Sequence, residues 1–195
     1  MRVLGISGSL RRGSLNTALL RAAAERLPAG VELVEFERLG DVPPYDEDAD
    51  PSSSSAKAGV TRAPEAVREL REAILAADAV LVATPEYNHS IPGQLKNALD
   101  WASRPAGQSA LNGKPAAAIG ASKSMFGGVW AQAELRKVLA SMGGRVIESE
   151  LPVPHADEQL DGERLELEPD QEHRLDEILA ELVAAAERES GLVAA

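Results

Sequence analysis

Ala79-Val80-Leu81-Val82-Ala83-Thr84 runs directly into Pro85-Glu86-Tyr87-Asn88-His89-Ser90-Ile91-Pro92-Gly93 and then into Gln94-Leu95-Lys96-Asn97-Ala98-Leu99-Asp100-Trp101. An apolar run, a proline-bounded loop and a helical pattern in that order read as a strand that empties through a stiff connection into a helix. The continuous apolar character of Val80-Leu81-Val82-Ala83 fits a central strand buried on both faces of a parallel sheet. Pro85 and Pro92 restrict the loop, and Gly93 frees the backbone just before the helix. Main-chain groups in such a loop can be held against a flat ligand without rearranging, and open α/β sheets bind ligands at strand ends of this kind.

The same alternation extends in both directions. Apolar runs at residues 3–6, 31–36, 79–84, 116–120 and 146–151 are separated by helical patterns at 17–27, 64–77, 94–102 and 129–142, with a last one at 171–189. Strands spaced by helices of this size predict right-handed crossovers and a parallel sheet of about five strands, covered by helices on both faces. A chain of 195 residues with 44% hydrophobic content can form one domain with a sizeable core, which we place at residues 1–190. Ala184-Ala185-Ala186 and residues 191–195 are expected to fray. Pro43-Pro44-Tyr45-Asp46-Glu47-Asp48, followed by Pro51 and four serines, is the longest irregular segment and reads as a mobile surface loop.

Composition narrows the chemistry. The chain has no cysteine, which removes disulfides, thiolate metal sites, iron–sulfur clusters and thiol nucleophiles together. Redox chemistry would have to come from a cofactor. A formal net charge of −11 argues against nonspecific nucleic-acid binding, which needs clustered lysine and arginine. Much of that acidity lies between Asp157 and Glu172 and reads as a solvated face. The amino terminus enters the first apolar run without a basic leader, and no stretch of ~18 apolar residues occurs, so a cytoplasmic protein with no membrane partner is expected.

The first strand leads into Ser7-Gly8-Ser9-Leu10-Arg11-Arg12-Gly13-Ser14-Leu15-Asn16, directly ahead of a helix. Hydroxyls, glycines and arginines before a helix N-terminus suit an anion, because the free N–H groups and the helix dipole favour one there. The segment from Gly8 nearly spells a phosphate-binding P-loop, but Ser14 stands in place of the lysine and Leu15 in place of the metal-binding hydroxyl. Gly5, Gly8 and Gly13 also lack the spacing of a dinucleotide fingerprint. A terminal monophosphate suits this loop better than a bridging pyrophosphate. Ser14 and Asn16 equally read as helix caps.

A third loop, Gly120-Ala121-Ser122-Lys123-Ser124-Met125-Phe126-Gly127-Gly128, leaves the fourth strand. Together the three loops resemble the NADPH-dependent FMN reductase family, flavodoxin-like flavoproteins that include quinone and chromate reductases. The resemblance rests on Gly8-Ser9-Leu10-Arg11 with Ser14 and Asn16, and on Pro85-Glu86-Tyr87-Asn88 running to Trp101. It covers roughly residues 2–154.

The resemblance implies a flavodoxin-like three-layer α/β/α sandwich and an FMN cofactor reduced by NADPH or NADH. It places the FMN phosphate against Ser9, Arg11, Ser14, Leu15 and Asn16. The flavin ring would lie along Pro85, Glu86, Tyr87 and Asn88, with Ser122, Gly127 and Gly128 on its pyrimidine side. Chemistry would be centred on the flavin, with no catalytic side chain and no metal, and hydride would pass to a small acceptor such as a quinone or free flavin. The alternative is a flavodoxin-type electron carrier that does not itself oxidise NAD(P)H. The resemblance further implies a homodimer or homotetramer, with the Tyr45 loop near the partner's flavin and Trp101 and Trp130 available for subunit contacts. Ser124 stands where the family pattern has glycine, Lys123 reads as an exposed cation or a contact to NAD(P)H phosphates, and His89 reads as a proton donor or a bystander.

Overall fold

The computed structural model describes residues 1–193. Strands β1 (Arg2–Ser7), β2 (Glu32–Glu35), β3 (Ala79–Ala83), β4 (Pro115–Ala121) and β5 (Arg145–Val146) form a parallel sheet in the order β2-β1-β3-β4-β5. Helices α1 (Leu15–Arg26) and α5 (Pro169–Val193) cover one face, and α2 (Glu65–Ala76), α3 (Gly93–Ala102) and α4 (Val129–Ser141) cover the other. The period-two alternation of the central strands accounts for this: Ala79, Leu81 and Ala83 pack against α1 and α5, while Val80 and Val82 face the opposite helices. The result is the flavodoxin-like three-layer sandwich. Among the described residues no helix is long and apolar enough to cross a membrane.

The strand expected at 146–151 is interrupted. β5 pairs Val146 with Ala116, whereas β6 (Pro152–Val153) pairs Pro152 with Gly120. The register therefore slips by two residues along β4, and the chain bows out of the ladder between them. The buried side chain of Gln132 partly repairs the gap: its Oε1 accepts the Leu151 N–H at 2.9 Å. Glu148-Ser149-Glu150 occupy this gap, three polar residues inside the stretch expected as one strand.

The irregular segment after β2 is anchored rather than loose. Gln94, Asn97 and Trp101 lie along one face of α3 and bind it through polar groups. Gln94 Nε2 donates to the carbonyls of Leu39 and Val42, and Asn97 Nδ2 and Trp101 Nε1 both donate to that of Pro43. Asn97 Oδ1 accepts the Tyr45 N–H at 2.7 Å. The Tyr45 ring packs edge-on against Trp101 with centroids 4.8 Å apart. Trp101 is 1% exposed, so it is a core residue and offers no surface to a second subunit.

At the C-terminal end, α5 continues past the alanine run that reads as frayed, and Ala185 and Ala186 are buried against the sheet. Helix is present through Val193; the remainder of the fraying expectation, Ala194 and Ala195, lies outside the described residues. The acidic stretch carries a short hairpin, β7 (Leu160–Asp161) with β8 (Arg164–Leu165), whose Leu165 is buried beside α1 while Glu163 and Glu166 are exposed.

Candidate cofactor-binding site

In the order β2-β1-β3-β4-β5 the connections leaving β1 and β3 diverge to opposite sides, which opens a crevice at the carboxyl ends of the strands. The loop after β1 is fixed at its start, where the Gly8 N–H donates to Ala83 O at 2.8 Å. A side chain at Gly8 would come within 2.9 Å of the Leu95 side chain and 3.3 Å of Pro85, so glycine lets this turn lie close to the neighbouring elements. Thr17 Oγ1 then donates to Ser7 Oγ, and Arg11 N–H to Ser9 Oγ. Ser14 caps α1 by accepting the Thr17 N–H at 3.2 Å. That leaves the N–H groups of Leu15 and Asn16, which precede the first helical hydrogen bond, open at a helix N-terminus. Arg11 is exposed and makes no side-chain bond among the described residues, so its guanidinium is available to an anion.

Asn16 behaves otherwise. Its Nδ2 donates to Ala121 O and its Oδ1 accepts the Ala121 N–H, both at 2.9 Å and both buried. The amide thus clamps the start of α1 to the end of β4. It pre-forms the crevice between them, and only one amide hydrogen is left for a ligand.

The loop after β3 is equally committed. Glu86, its side chain 8% exposed, places Oε2 3.0 Å from the Trp130 N and 3.1 Å from the Ala131 N, so it neutralises the N-terminus of α4. Tyr87 and Ser90 exchange two backbone hydrogen bonds around Asn88 and His89, whose φ angles are +53° and +60°. A two-residue turn with both central residues left-handed is the tight hairpin type in which asparagine is favoured. It holds Tyr87, 54% exposed, at the rim.

After β4, Ser122 N–H donates to Val153 O, and its Oγ accepts the Ser124 N–H. Ser124 takes the place of a glycine without strain, since its φ is not among the positive values, and its carbonyl accepts from Gly127 and His155. Gly127 does require its residue type: φ is +59°, and a side chain would lie 2.6 Å from Val153 N. Lys123 Nζ pairs with Asp157 Oδ2 at 3.2 Å. Burial pushes the Asp157 carboxyl up, but the hydrogen bond and charge of Lys123, its own N–H and His155 together hold it below the ordinary carboxylate range.

These three loops enclose a cleft of about 400 Å³, within the range of small-molecule sites. Ser9, Arg11, Ser14, Leu15, Asn16, Pro85, Glu86, Tyr87 and Ser122 line it, together with Ala121 and Lys123. Asn88, Gly127 and Gly128 do not. Asn88 shapes the turn behind Tyr87, and the two glycines let the third loop close on β6 and start α4. Gln132 was not singled out in the sequence; a buried amide on the inward face of α4 is the signal that marks it, and its Nε2 lies 3.4 Å from the carbonyls of Gly127 and Gly128. One end of the cleft offers open N–H groups, hydroxyls and a free guanidinium, and the other offers a proline and a tyrosine. That donor set fits a ligand with a terminal phosphate and a flat ring, which is the chemistry of FMN.

Sequence and structure comparisons agree with this geometry. The family pattern described as NADPH-dependent FMN reductase matches residues 1–158. An NAD(P)H-dependent FMN reductase of Pseudomonas aeruginosa is 48% identical over 71% of this chain and 69% of its own. A 2-hydroxy-1,4-benzoquinone reductase of Burkholderia sp is 39% identical over 83% and 82%. Among solved structures, the flavoenzyme NAD(P)H:(acceptor) oxidoreductase FerB of Paracoccus denitrificans superposes with a TM-score of 0.79 at 33% identity, covering 96% of this chain and 97% of that one. A flavodoxin-like sheet, a phosphate-suited turn after β1 and a family match spanning all three cleft loops lead to one assignment: the chain belongs to the NADPH-dependent FMN reductase family.

Proposed function

We propose that this protein binds FMN in the cleft and passes hydride from NAD(P)H to a small two-electron acceptor of the quinone type. The observation that carries the reading is the convergence of a free Arg11, an open helix N-terminus and the Pro85–Tyr87 wall on one cleft at the topological switch point. Bound FMN supplies a hydride-accepting centre that the chain, lacking cysteine, does not provide itself. Arg11, Ser9 and the N–H groups of Leu15 and Asn16 bind its phosphate. Pro85 and Tyr87 orient the ring, and Glu86, spent on α4, keeps that wall rigid rather than acting on substrate. A quinone as acceptor is supported by the names of several relatives, one of which is a quinone reductase of Escherichia coli at 37% identity over 75% of this chain.

No side chain is required as a proton donor. The His89 side chain is 73% exposed, and its imidazole packs edge-on against Trp130 with centroids 4.6 Å apart. Replacing His89 by Gln is expected to leave NADPH-dependent quinone reduction within about tenfold of the parent, whereas general acid catalysis would typically contribute ~100-fold or more. A loss of that larger size at unchanged FMN content would make His89 a proton donor. With both substrates using one face of the cleft in turn, initial-rate plots against NADPH at several fixed quinone concentrations should be parallel. Intersecting lines would require both substrates bound at once and would overturn this scheme.

A homodimer or homotetramer belongs to the same reading, as does a cytoplasmic location, where NAD(P)H is supplied. Trp130, Phe126 and Met125 are exposed on the third loop and the start of α4, where the Phe126 and Trp130 rings meet at 4.7 Å. Apolar side chains gathered next to a cleft suit burial against a second copy. Light scattering at micromolar concentration should give at least a dimer, and a fully active monomer would exclude it.

A further inference from the structure

A second cavity, about 120 Å³ in volume, lies between α2, the C-terminal end of α3 and the turn at Asp50–Ser52, and shares no lining residue with the cofactor cleft. Two guanidinium side chains line it, Arg71 from α2 and Arg104 just beyond α3. Neither forms an ion pair among the described residues. Arg71 donates one bond, from Nη1 to Ala102 O at 3.2 Å. Arg104 stacks its guanidinium over the Tyr45 ring, 5.4 Å from the centroid, and its Nε is buried with no acceptor.

The one carboxylate in the cavity does not answer for both cations. Asp50 is 3% exposed, and its oxygens are taken by other donors. Oδ1 accepts from the Ser52 N–H and hydroxyl at 2.9 and 2.7 Å, and Oδ2 accepts from the Tyr45 hydroxyl at 3.3 Å. Burial raises the Asp50 carboxyl, but those bonds and the Arg104 charge outweigh it and keep the group ionised. Arg71 is depressed by burial, with Asp50 opposing, yet a guanidinium stays charged. The cavity therefore retains one excess positive charge and an unmet buried donor. Arg71 and Arg104 are both partly exposed, so water solvates them in part, whereas an anion seated between them would meet the excess charge and the buried Arg104 Nε together.

We propose that this cavity binds a small tetrahedral oxyanion, with inorganic phosphate or sulfate held between the guanidinium groups of Arg71 and Arg104. The space is large enough for a small ion, since about 10–15 Å³ of such volume already holds one water. Bound there, the ion would tie α2 to the end of α3 and to the Tyr45 segment that α3 already anchors. Nothing in this depends on which acceptor the cofactor cleft reduces.

The test uses FMN-loaded protein, so that the loop after β1 is filled and does not itself take up phosphate. Calorimetric titration with sodium phosphate and with sodium sulfate, against chloride at matched ionic strength, should show one saturable site per chain. Arg71→Gln and Arg104→Gln should each weaken it by about tenfold or more while flavin content and circular dichroism stay unchanged. AMP in place of phosphate separates a free ion from a terminal phosphate: heat that disappears in both arginine variants would mean that the site takes the phosphate of a larger molecule, contrary to the proposal. Absence of saturable binding, or binding that neither substitution alters, would overturn it. Should a variant fail to fold, parent crystals soaked in selenate decide the matter, because an anomalous peak between the two guanidinium groups is required and its absence at saturating selenate refutes the site.

Discussion

Asn16→Ala is expected to destabilise the protein by about 2–4 kcal/mol, with the loss seen in the urea midpoint of the apoprotein. The reason is local accounting. The side chain satisfies both the N–H and the carbonyl of Ala121 in a buried position, and alanine leaves both without a protein partner. Each stranded buried group costs about 1–3 kcal/mol. The clamp also sets the distance between the phosphate loop and the third loop, so FMN affinity should fall as a consequence of the lost stability. A variant whose apoprotein is as stable as the parent but binds FMN poorly would show instead that Asn16 acts on the ligand directly.

Arg11→Ala should give the opposite signature. The side chain is exposed and unpartnered, so the fold loses nothing measurable, while FMN affinity drops by one to two decades. Removing a charge-assisted contact to a phosphate costs on the order of 1.5–3 kcal/mol, which is that range in dissociation constant. Fluorescence titration of the apoprotein with FMN measures it. Riboflavin supplies the control: lacking the phosphate, it should bind parent and variant alike. Equal FMN affinity in a folded Arg11→Ala protein would remove the phosphate from this loop.

The contrast between these two residues marks how far the sequence could be read. Residue type and position placed Arg11 and Asn16 together around the start of α1, and the cleft contains both. What the pattern could not convey is that Asn16 reaches 105 residues along the chain to Ala121. Long-range side-chain bonds leave no local periodicity. The same blindness hid Gln132 and the Gln94–Asn97–Trp101 stripe, whose partners are backbone groups far along the chain. Strands β1, β3 and β4 were legible because burial on both faces demands continuous apolar residues. The fifth was placed correctly but given too great an extent, because Glu148-Ser149-Glu150 interrupt it and its register slips by two residues against β4. Of the two glycines expected beside the ring, neither lines the cleft: a side chain at Gly127 would strike Val153, and Gly128 starts α4 with a positive φ.

Flavin reduction by NADPH tests the central claim most directly, and it separates a reductase from an electron carrier of the same fold. FMN-loaded protein is mixed anaerobically with NADPH in a stopped-flow instrument, and the visible absorbance of the bound flavin is followed. The absorbance should bleach fully with a rate that rises with NADPH concentration, and return when a benzoquinone is added. Flavin that remains oxidised and bound in the presence of both NADPH and NADH would contradict the proposed activity while leaving the fold and the FMN site intact.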